Sequence, residues 1–366
     1  MNGPVPSPTG SATERPSAYA AAGVDIVAAD RAVELMKDSV AKTRRPEVLG
    51  GLGGFAGLFD ARTLARMDHP VLATSTDGVG TKVALAQAMD VHDTIGLDLV
   101  AMVVDDLVVC GAEPLFMTDY IACGSVVPER IATIVKGIAE GCAEAGCALL
   151  GGETAEHPGL LAPDEYDLAG AATGVVEHDL ILGADRVRPG DVVVAMESSG
   201  LHANGYSLVR HVLAGAGWAY DRHVDELGGT LGAELLIPTR IYAQHCLALI
   251  DSVPVHAISH ITGGGLANNL ARVVPAGCEV RIDRTTWQPA PVFTLLARLG
   301  DVPQLDAEAT WNQGVGMMAV LPPDSVDAAV RLLAGRGVRA WVCGTVVPSG
   351  SGARDAVSLF GQHPSS

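Results

Sequence analysis

This 366-residue sequence has few aromatic residues and few positively charged residues, and its cysteines form no recognisable motif. The seven cysteines include no C-x-x-C pair and no histidine at metal-ligand spacing, so neither a disulfide framework nor a structural zinc site is indicated. The net charge of −18 repels a polyanion, and only five Phe are present to help the few Tyr and Trp stack on bases. Nucleic acid is therefore not an expected partner, whereas a small anionic ligand is possible where local cations or metal ions assist.

Long apolar runs are missing as well, although 48% of the residues are hydrophobic. Gly, Asp or Arg interrupts every candidate stretch before the ~20 residues needed to cross a bilayer, so no membrane span is predicted. Residues 1–20 are rich in Pro, Ser, Thr and Gly and lack the basic start and apolar centre of a signal peptide. We expect them to form a disordered arm, and we expect a cytoplasmic protein.

Helical and strand-like patterns alternate along the chain, which predicts an α/β or α+β fold. The predicted helices are 28–42, 97–109, 128–145, 206–214, 239–250, 266–274, 292–299 and 326–335. The predicted strands are 71–76, 115–122, 148–150, 169–176, 191–196, 255–259, 279–282, 315–321 and 340–347.

Two domains are expected because a single core stops growing near ~250–300 residues. The charged, Pro- and Gly-bearing stretch 183–190 is typical of a connection between domains. We place the boundary near residue 180, which gives an N-terminal domain over 21–180 and a C-terminal domain over 181–348. Residues 349–366 are predicted to be a flexible tail.

Three glycine-rich stretches could bring backbone N–H groups close to a phosphate, because glycine has no Cβ. Gly50–Gly54 follows the cationic cluster Lys42–Arg45, Asp77–Lys82 follows a predicted strand, and Thr262–Gly265 leads into a predicted helix. In a chain with 43 glycines any one such loop also has an ordinary structural explanation. No Walker pattern and no G-x-G-x-x-G opening a βαβ unit is present, so neither of those nucleotide-binding folds is supported.

Lysine is rare in this sequence, and one of its four lysines, Lys82, lies inside a glycine-rich loop. A chain that otherwise uses Arg and keeps Lys at this position suggests a compact ammonium that contacts phosphate. An ordinary surface lysine is the alternative.

Three carboxylates stand beside glycine turns: Asp77, Asp106 and Glu153. Mg²⁺ takes a few carboxylate oxygens and completes its octahedral shell with water and substrate phosphates, so these acids are candidate metal ligands. Solvated surface groups or helix caps are the alternative.

The second half offers His202 and Asn204 in a turn-rich segment before a predicted helix. A histidine near its reference pKa can act as acid or base or donate to a phosphate oxygen, and a satisfied helix-cap histidine is an equal alternative. His260, ahead of the triple glycine, has a similar but weaker claim. No G-x-S-x-G motif indicates a nucleophilic serine.

Ten motifs occur in order across residues 20–347. They are AGVDI (22–26), KTRRPEVLGGLGGF (42–55), TDGVGTK (76–82), HDTIGLDLVAM (92–102), DLVVCGAEPLF (106–116), GGETAEHPG (151–159), SSGLHANGYSLVR (198–210), PTRIY (238–242), HITGGG (260–265) and NQGVGM (312–317). In this series the sequence resembles the phosphoribosylformylglycinamidine cyclo-ligase family, also called aminoimidazole ribonucleotide synthetase.

The resemblance implies a reaction in which ATP phosphorylates the formyl amide oxygen of formylglycinamidine ribonucleotide. The amidine nitrogen then attacks the activated carbon, an imidazole ring closes, and ADP and phosphate leave. It also implies ATP and Mg²⁺ as cofactors, and a two-domain α/β (α+β) fold whose N-terminal domain pairs with its copy in a homodimer barrel. Such an enzyme mainly aligns two substrates and neutralises phosphate charge.

By resemblance, each candidate residue receives an expected role. The metal and phosphate set is Asp77, Asp106 and Glu153. The catalytic set is Asp106, Lys82 and His202. The nucleotide set is Gly50, Gly51, Gly53, Gly54, Asp77, Gly78 and Lys82, with Lys37 as a weaker candidate. The cofactor-binding set also includes Asn204, Thr262, Gly263 and Gly264, which together with His202 are expected to face the cleft from the second domain.

Some residues depart from the family pattern: Asp105 stands where Asn is frequent, and Leu201 and Ala203 stand where Pro and Ser are frequent. Asp105 could strengthen a metal site or lie on the far side of its helix. The nearest rivals are the amidotransferase-linked synthetase, selenophosphate synthetase and thiamine-phosphate kinase. A nucleotide-binding module without catalysis is the alternative from another class.

Overall fold

The computed structural model of the protein describes residues 25–51, 54–349 and 356–364. Its helices are α1 (Ile26–Ala41), α2 (Lys82–Met89), α3 (Ile95–Val108), α4 (Pro128–Ala145), α5 (Tyr206–Ala216), α6 (Leu231–Leu235), α7 (Ala243–Ser252), α8 (Gly265–Ala271), α9 (Pro291–Leu299), α10 (Gln304–Thr310) and α11 (Val326–Gly335). Its strands are β1 (Val48–Leu49), β2 (Leu58–Phe59), β3 (Pro70–Gly78), β4 (Glu113–Cys123), β5 (Ala148–Glu156), β6 (Tyr166–Glu177), β7 (Val192–Glu197), β8 (His223–Val224), β9 (Gly229–Thr230), β10 (Ala257–His260), β11 (Cys278–Asp283), β12 (Val315–Leu321), β13 (Ala340–Pro348) and β14 (Val357–Phe360).

The first half of the described chain forms a four-stranded sheet in the order β3-β6-β4-β5. β6 is antiparallel to both of its neighbours, and β4 and β5 are parallel. One face is buried against α3 and α4, as Met117 and Ile121 of β4 show by being fully buried. On the other face Thr118 and Tyr120 are exposed, so this side of the sheet is open in the single chain.

The second half forms a six-stranded sheet in the order β10-β12-β7-β13-β11-β14. Its pairs are antiparallel except for β11 and β14, which are parallel. Every residue of β12 is buried, as its continuous apolar sequence predicts for a strand covered on both faces. Helices and sheets are therefore mixed in both halves, which confirms the expected α/β (α+β) class, while the boundary near residue 180 stays a prediction.

Local signals explain where several helices begin and end. The Asp25 side chain accepts a hydrogen bond from Ala28 N at 3.1 Å and caps α1. Pro128 opens α4, and Gly146 closes it in the left-handed conformation with φ +73°.

The prediction of a flexible tail after Pro348 is wrong for part of that segment. Residues 357–360 form β14, which extends the second sheet beside β11. Val357 is buried, and the His363 ring lies 4.5 Å from the Trp287 ring. Residues 357–360 are a short apolar run among polar residues, so the local sequence does not predict a strand there. In the fold this run gains backbone hydrogen bonds to β11 and becomes partly buried. The predicted arm over 1–20 lies outside the described residues.

Two element bounds also differ from the sequence predictions. The helix expected from Thr239 begins at Ala243, because Thr239 N and Oγ1 both donate to Asp98 and hold the chain outside the helix. The strand expected to end at Leu150 continues to Glu156, so the motif GGETAE lies within an edge strand. Among the described residues, no helix has the length and apolarity required to cross a membrane.

Candidate active site

Three side chains from separate elements converge where the two sheets meet. Asp106 lies in the last turn of α3, His260 ends β10, and Asp77 is the penultimate residue of β3. His260 Nδ1 donates to Asp106 Oδ1 at 2.9 Å, and the charge of Asp77 interacts with both partners. The imidazole is 3% exposed and the Asp106 side chain 42%, so an outer carboxylate rests on an inner, fixed ring.

Burial and neighbouring charges shift the pKa values of His260 and Asp77. Burial lowers the pKa of His260, but the hydrogen bond to Asp106 and the charges of Asp105, Asp106 and Asp77 outweigh it, so the pKa is raised. Burial raises the pKa of Asp77, and the neighbouring Asp106 carboxylate raises it further, although Gly78 N donates to Asp77 at 2.7 Å. Two like charges held together in this way favour a cation between them.

A divalent cation fits the donor set of Asp77 and Asp106. Magnesium needs one or two protein carboxylates when water and substrate phosphates supply its other ligands, and these two carboxylates are partly exposed and mutually repulsive. No group of three or more His, Cys, Asp or Glu side chains able to hold a metal occurs among the described residues. Two carboxylates alone do not enclose a metal ion, so the magnesium site at Asp77 and Asp106 stays a prediction.

Glu153 does not join this pair, which corrects the expected three-carboxylate set. Glu153 of β5 pairs with Tyr120 of β4, and Tyr120 pairs with Ala169 of β6. Ala169 in turn pairs with Gly78 of β3, the residue after Asp77. Three interstrand spacings, about 14 Å in all, separate Glu153 from β3. Because side chains alternate along a strand, Glu153 also lies on the opposite face from Asp77. The strand order, which no local pattern gives, places β3 and β5 at opposite edges.

Lys82 is also corrected: its ammonium lies in the interior rather than at a phosphate. The side chain is 0% exposed, and Nζ donates to Asp98 Oδ1 at 2.9 Å, His202 O at 3.0 Å and Ile237 O at 2.7 Å. Three acceptors use all three N–H donors of the ammonium. Burial lowers the pKa of Lys82 and raises that of Asp98, and each partner opposes the other's shift. The pair joins α2 and α3 to the second half of the chain.

His202 is buried beside the same contact. Its backbone has φ +64°, and its Nε2 accepts a hydrogen bond from Ser199 N at 3.2 Å. Burial lowers the pKa of His202 well below its usual range, and the charge of His260 lowers it further. The neutral ring then carries its proton on Nδ1, which is buried without a partner among the described residues. This geometry favours a hydrogen-bond donor over an acid–base group, and the catalytic role of His202 stays a prediction.

Asn204 lies beside the turn before α8, and the role of both in binding the cofactor stays a prediction. A Cβ at Gly263 would lie 3.3 Å from Asn204 Oδ1, and Asn204 Nδ2 contacts Met102 Sδ at 3.6 Å. Asn269 of α8 donates from Nδ2 to the carbonyls of Thr262 and Gly263 in the turn. The turn is thereby fixed at the edge of the group formed by Asp106 and His260.

The other glycine-rich stretch lines a separate cavity of about 240 Å³. Gly50 and Gly51 form part of its wall together with Lys37 and Arg44, and Arg44 Nη2 donates to Gly50 O at 2.9 Å. Gly50 has φ +83°, which a side chain would strain. Gly54 lies beside this loop, whereas Gly53 lies outside the described residues.

Gly78, expected on the nucleotide, stands at the end of β3. Its N–H is held by Asp77, so it orients that carboxylate and is not free to point at a phosphate.

The sequence analysis did not identify the structural role of the acidic residues that hold the two halves together. Asp105, left open above, is 0% exposed, and both of its oxygens accept Tyr242 N at 3.0 Å. It therefore fixes the start of α7 and adds no metal ligand, while burial raises its pKa to about 7. Asp98 binds Thr239 in the same way. The partners lie about 140 residues apart in the sequence, so no local pattern predicts these contacts. The adjacent acidic residues on an otherwise apolar helix did indicate that this part of α3 has a special role.

Comparisons with known proteins agree with this architecture. Residues 59–176 match the family model described as AIR synthase related protein, N-terminal domain, and residues 188–356 match the model described as AIR synthase related protein, C-terminal domain. The phosphoribosylformylglycinamidine cyclo-ligase of Anaeromyxobacter sp. is 53% identical over 329 residues, which cover 90% of this chain and 95% of the relative. That of Desulfitobacterium hafniense is 49% identical over 342 residues, which cover 93% and 99%.

Among solved structures, the thiamine-monophosphate kinase of Stenotrophomonas maltophilia aligns with a TM-score of 0.64 at 18% identity, over 90% of this chain and 96% of that one. This likeness shows the shared fold alone. Identity near one half over nine tenths of both chains is decisive for the family. The chain belongs to the phosphoribosylformylglycinamidine cyclo-ligase family, the ligases of purine biosynthesis, and it has their two-domain AIR-synthase-like fold.

Proposed function

We propose that this chain closes the imidazole ring of aminoimidazole ribonucleotide from formylglycinamidine ribonucleotide, with ATP converted to ADP and phosphate. The observation that carries the proposal is the Asp106–His260 pair with Asp77 beside it, at the junction of the two sheets. Carboxylates that repel each other, next to a fixed imidazole, suit a reaction in which phosphate charge must be neutralised.

Magnesium would be held by Asp77 and Asp106 and would supply charge neutralisation to the phosphates of ATP. His260 keeps the Asp106 carboxylate oriented through its 2.9 Å hydrogen bond. The hydrogen bond to Asp106 and the surrounding carboxylates raise the pKa of His260 and so favour its positively charged form beside the site. The turn Thr262–Gly264 and Asn204 stand next to this group and would contact substrate.

The cavity of about 240 Å³ beside the Gly50–Gly51 loop is the candidate surface for the base and ribose of a nucleotide, and it lies at the β5 edge of the first sheet, three strands from Asp77. Lys37 and Arg44 line it and supply cations in a chain whose net charge is −18. In this arrangement the nucleotide contacts come from Lys37 and not from Lys82, whose donors are all used.

A homodimer is part of the proposal because one face of the first sheet is uncovered. Leu72 of β3 is 60% exposed and Tyr120 of β4 is 42% exposed on that face. Exposed large apolar side chains on an uncovered sheet face often mark an interaction surface, and a second copy of the same face would close a barrel. The cytoplasm stays the expected compartment on the grounds given by the sequence.

Purified protein with Mg-ATP should convert formylglycinamidine ribonucleotide into a product lighter by one water, with one ADP per product. Mass spectrometry of the product and a coupled ADP assay measure both quantities. ATP binding without ring closure would favour the alternative, a nucleotide-binding module that lacks catalysis.

A further inference from the structure

A second cavity, of about 530 Å³, lies beside the connection between the two sheets, and the proposed reaction uses none of its residues. One wall comes from Leu180, Leu182, Arg186 and Arg188, and the other from segment 250–256, which includes the last residues of α7. We call it the linker cavity. Its volume falls within the range of about 300–1,000 Å³ that is usual for small-molecule sites.

Arg186 and Arg188 of the linker cavity form no salt bridge with any side chain that the structure describes, although the charge of Arg186 interacts with the nearby Asp179 carboxylate. Arg186 Nη2 donates to the carbonyl of Asp179, and Arg188 Nη1 donates to the carbonyls of Asp185 and Val187. Carbonyl oxygens fix the guanidinium groups without neutralising them. Asp251 is the one carboxylate among the lining residues that the structure describes.

A histidine in the same cavity is held in a fixed orientation. His256 Nδ1 lies 2.7 Å from Asp191 Oδ2, and the same carboxylate accepts the backbone N–H of Arg188 at 2.7 Å. Asp191 is buried, so its charge is used inside the fold. His256 Nε2 has no hydrogen-bond partner among the described residues and remains available to a ligand.

The rest of the lining is apolar. Leu180, which is 59% exposed, and Leu182 lie on one wall, and Ile250 and Val253 lie on the other. An exposed leucine beside two guanidinium groups that form no salt bridge among the described residues suits a ligand that has a charged end and an apolar end. Guanidinium groups bind phosphate oxygens through paired, charge-assisted hydrogen bonds.

We propose that the linker cavity binds a small phosphate monoester with an aromatic or apolar part, of the size of a nucleoside monophosphate. The phosphate contacts Arg186, Arg188 and His256 Nε2, and the ring system packs against Leu180 and Ile250. This site is independent of ring closure, since neither arginine belongs to the group formed by Asp77, Asp106 and His260.

Calorimetric titration of the full-length protein with adenosine 5′-monophosphate, and separately with inorganic phosphate, tests the site. Replacing both arginines, Arg186→Gln with Arg188→Gln, should raise the Kd for the nucleotide at least about tenfold, which corresponds to about 1.4 kcal/mol. Arg331→Gln, an exposed arginine on α11, is the matched control and should leave the Kd unchanged. Nucleotide binding that the double variant does not change would place the ligand elsewhere and overturn the proposal.

Leu180→Ser separates the two ends of the ligand. It should raise the Kd for the nucleotide several-fold and leave the Kd for phosphate unchanged. Neither arginine is replaced in this variant, so their hydrogen bonds to backbone carbonyls are kept. Equal Kd values for nucleotide and phosphate would overturn the assigned ligand class. Ring-closure activity should be the same in all these variants, so a failure here is distinct from a failure of the proposed function.

Discussion

The surroundings of Lys82 decide its role more than its place in a glycine-rich loop does. In sequence it stands where a phosphate-binding lysine would stand. In the fold it is the first residue of α2, and the helix carries the side chain into the interior, where Asp98 and two carbonyls surround it. A buried ion pair with all donors used connects elements rather than binding a ligand.

Lys82→Met should lower the free energy of unfolding by about 3–5 kcal/mol, because it leaves the buried Asp98 carboxylate without its partner. Urea unfolding at neutral pH measures the loss. Adding Asp98→Asn should recover part of it, since the uncompensated charge is then gone. A variant that keeps full stability and loses only ATP affinity would return Lys82 to the nucleotide.

Asp106→Asn should lower turnover by at least ~100-fold, the usual scale for a key electrostatic group. The side chain is 42% exposed, so the thermal midpoint should change little. Steady-state ring-closure kinetics together with thermal unfolding check both expectations. Asp221→Asn, at an exposed position, is the matched control. An unchanged rate in Asp106→Asn would remove this residue from the site.

At the scale of elements, close approaches fix how helices and strands meet. Gly265 begins α8 with φ +71°, and a Cβ there would lie 1.7 Å from the carbonyl oxygen of Glu308. No rotamer change relieves a clash with backbone, so α8 can approach α10 only with glycine at this position.

Gly265→Ala should therefore destabilise the protein by more than about 1–2 kcal/mol, the cost of the left-handed conformation alone. Gly215→Ala is the control, because Gly215 lies in α5 with no atom within 4 Å of the added Cβ. That change should stabilise the protein by about 0.5–1 kcal/mol. Denaturant unfolding of both variants decides, and equal effects would contradict the assigned packing.

The parallel pair of β4 and β5 holds a titratable group. A Cβ at Gly152 would lie 1.9 Å from Asp119 Oδ1, so the carboxyl lies directly over the β5 backbone. Burial raises the pKa of Asp119 to about 7. Between about pH 4 and about pH 7 the folded chain then holds one proton more than the unfolded chain, and stability falls as pH rises through this window.

Asp119→Asn cannot ionise and should lack this part of the pH dependence. The free energy of unfolding of Asp119→Asn minus that of the parent chain should be larger at pH 8 than at pH 5. The increase should be up to about 1.4 kcal/mol for each unit of pKa shift. Chemical unfolding at the two pH values tests this expectation. The same difference at both pH values would show that Asp119 does not titrate in the folded chain.

At the scale of the whole molecule, the open face of the first sheet predicts self-association. Leu72→Glu places a charge on that face and should convert a dimer into monomers, whereas Leu305→Glu, at a leucine 73% exposed on α10, should not. Light scattering after size-exclusion chromatography gives the mass of each. A parent chain that is monomeric at micromolar concentration would contradict the homodimer proposal.

Much of the fold follows from local pattern. Apolar periodicity gave most helices and strands, and Asp25, Pro128 and Gly146 act as the caps that their residue types suggest. β14 and the length of β5 did not follow, because edge strands gain their stability from a neighbouring strand. Asp77 and Asp106 were found as candidates because they end regular elements beside glycines.

The sequence by itself determined the family, the mixed α/β class and the presence of phosphate-suited glycines and acids, because those properties reside in contiguous residues. Only the tertiary structure decided which acids meet. Strand order separates Glu153 from Asp77, and helix packing buries Lys82 with Asp98 and Asp105 against Tyr242. The tertiary structure also brings His260 into contact with Asp106, which lies 154 residues away in the sequence. Such pairings depend on burial and strand order, which are properties of the folded chain as a whole.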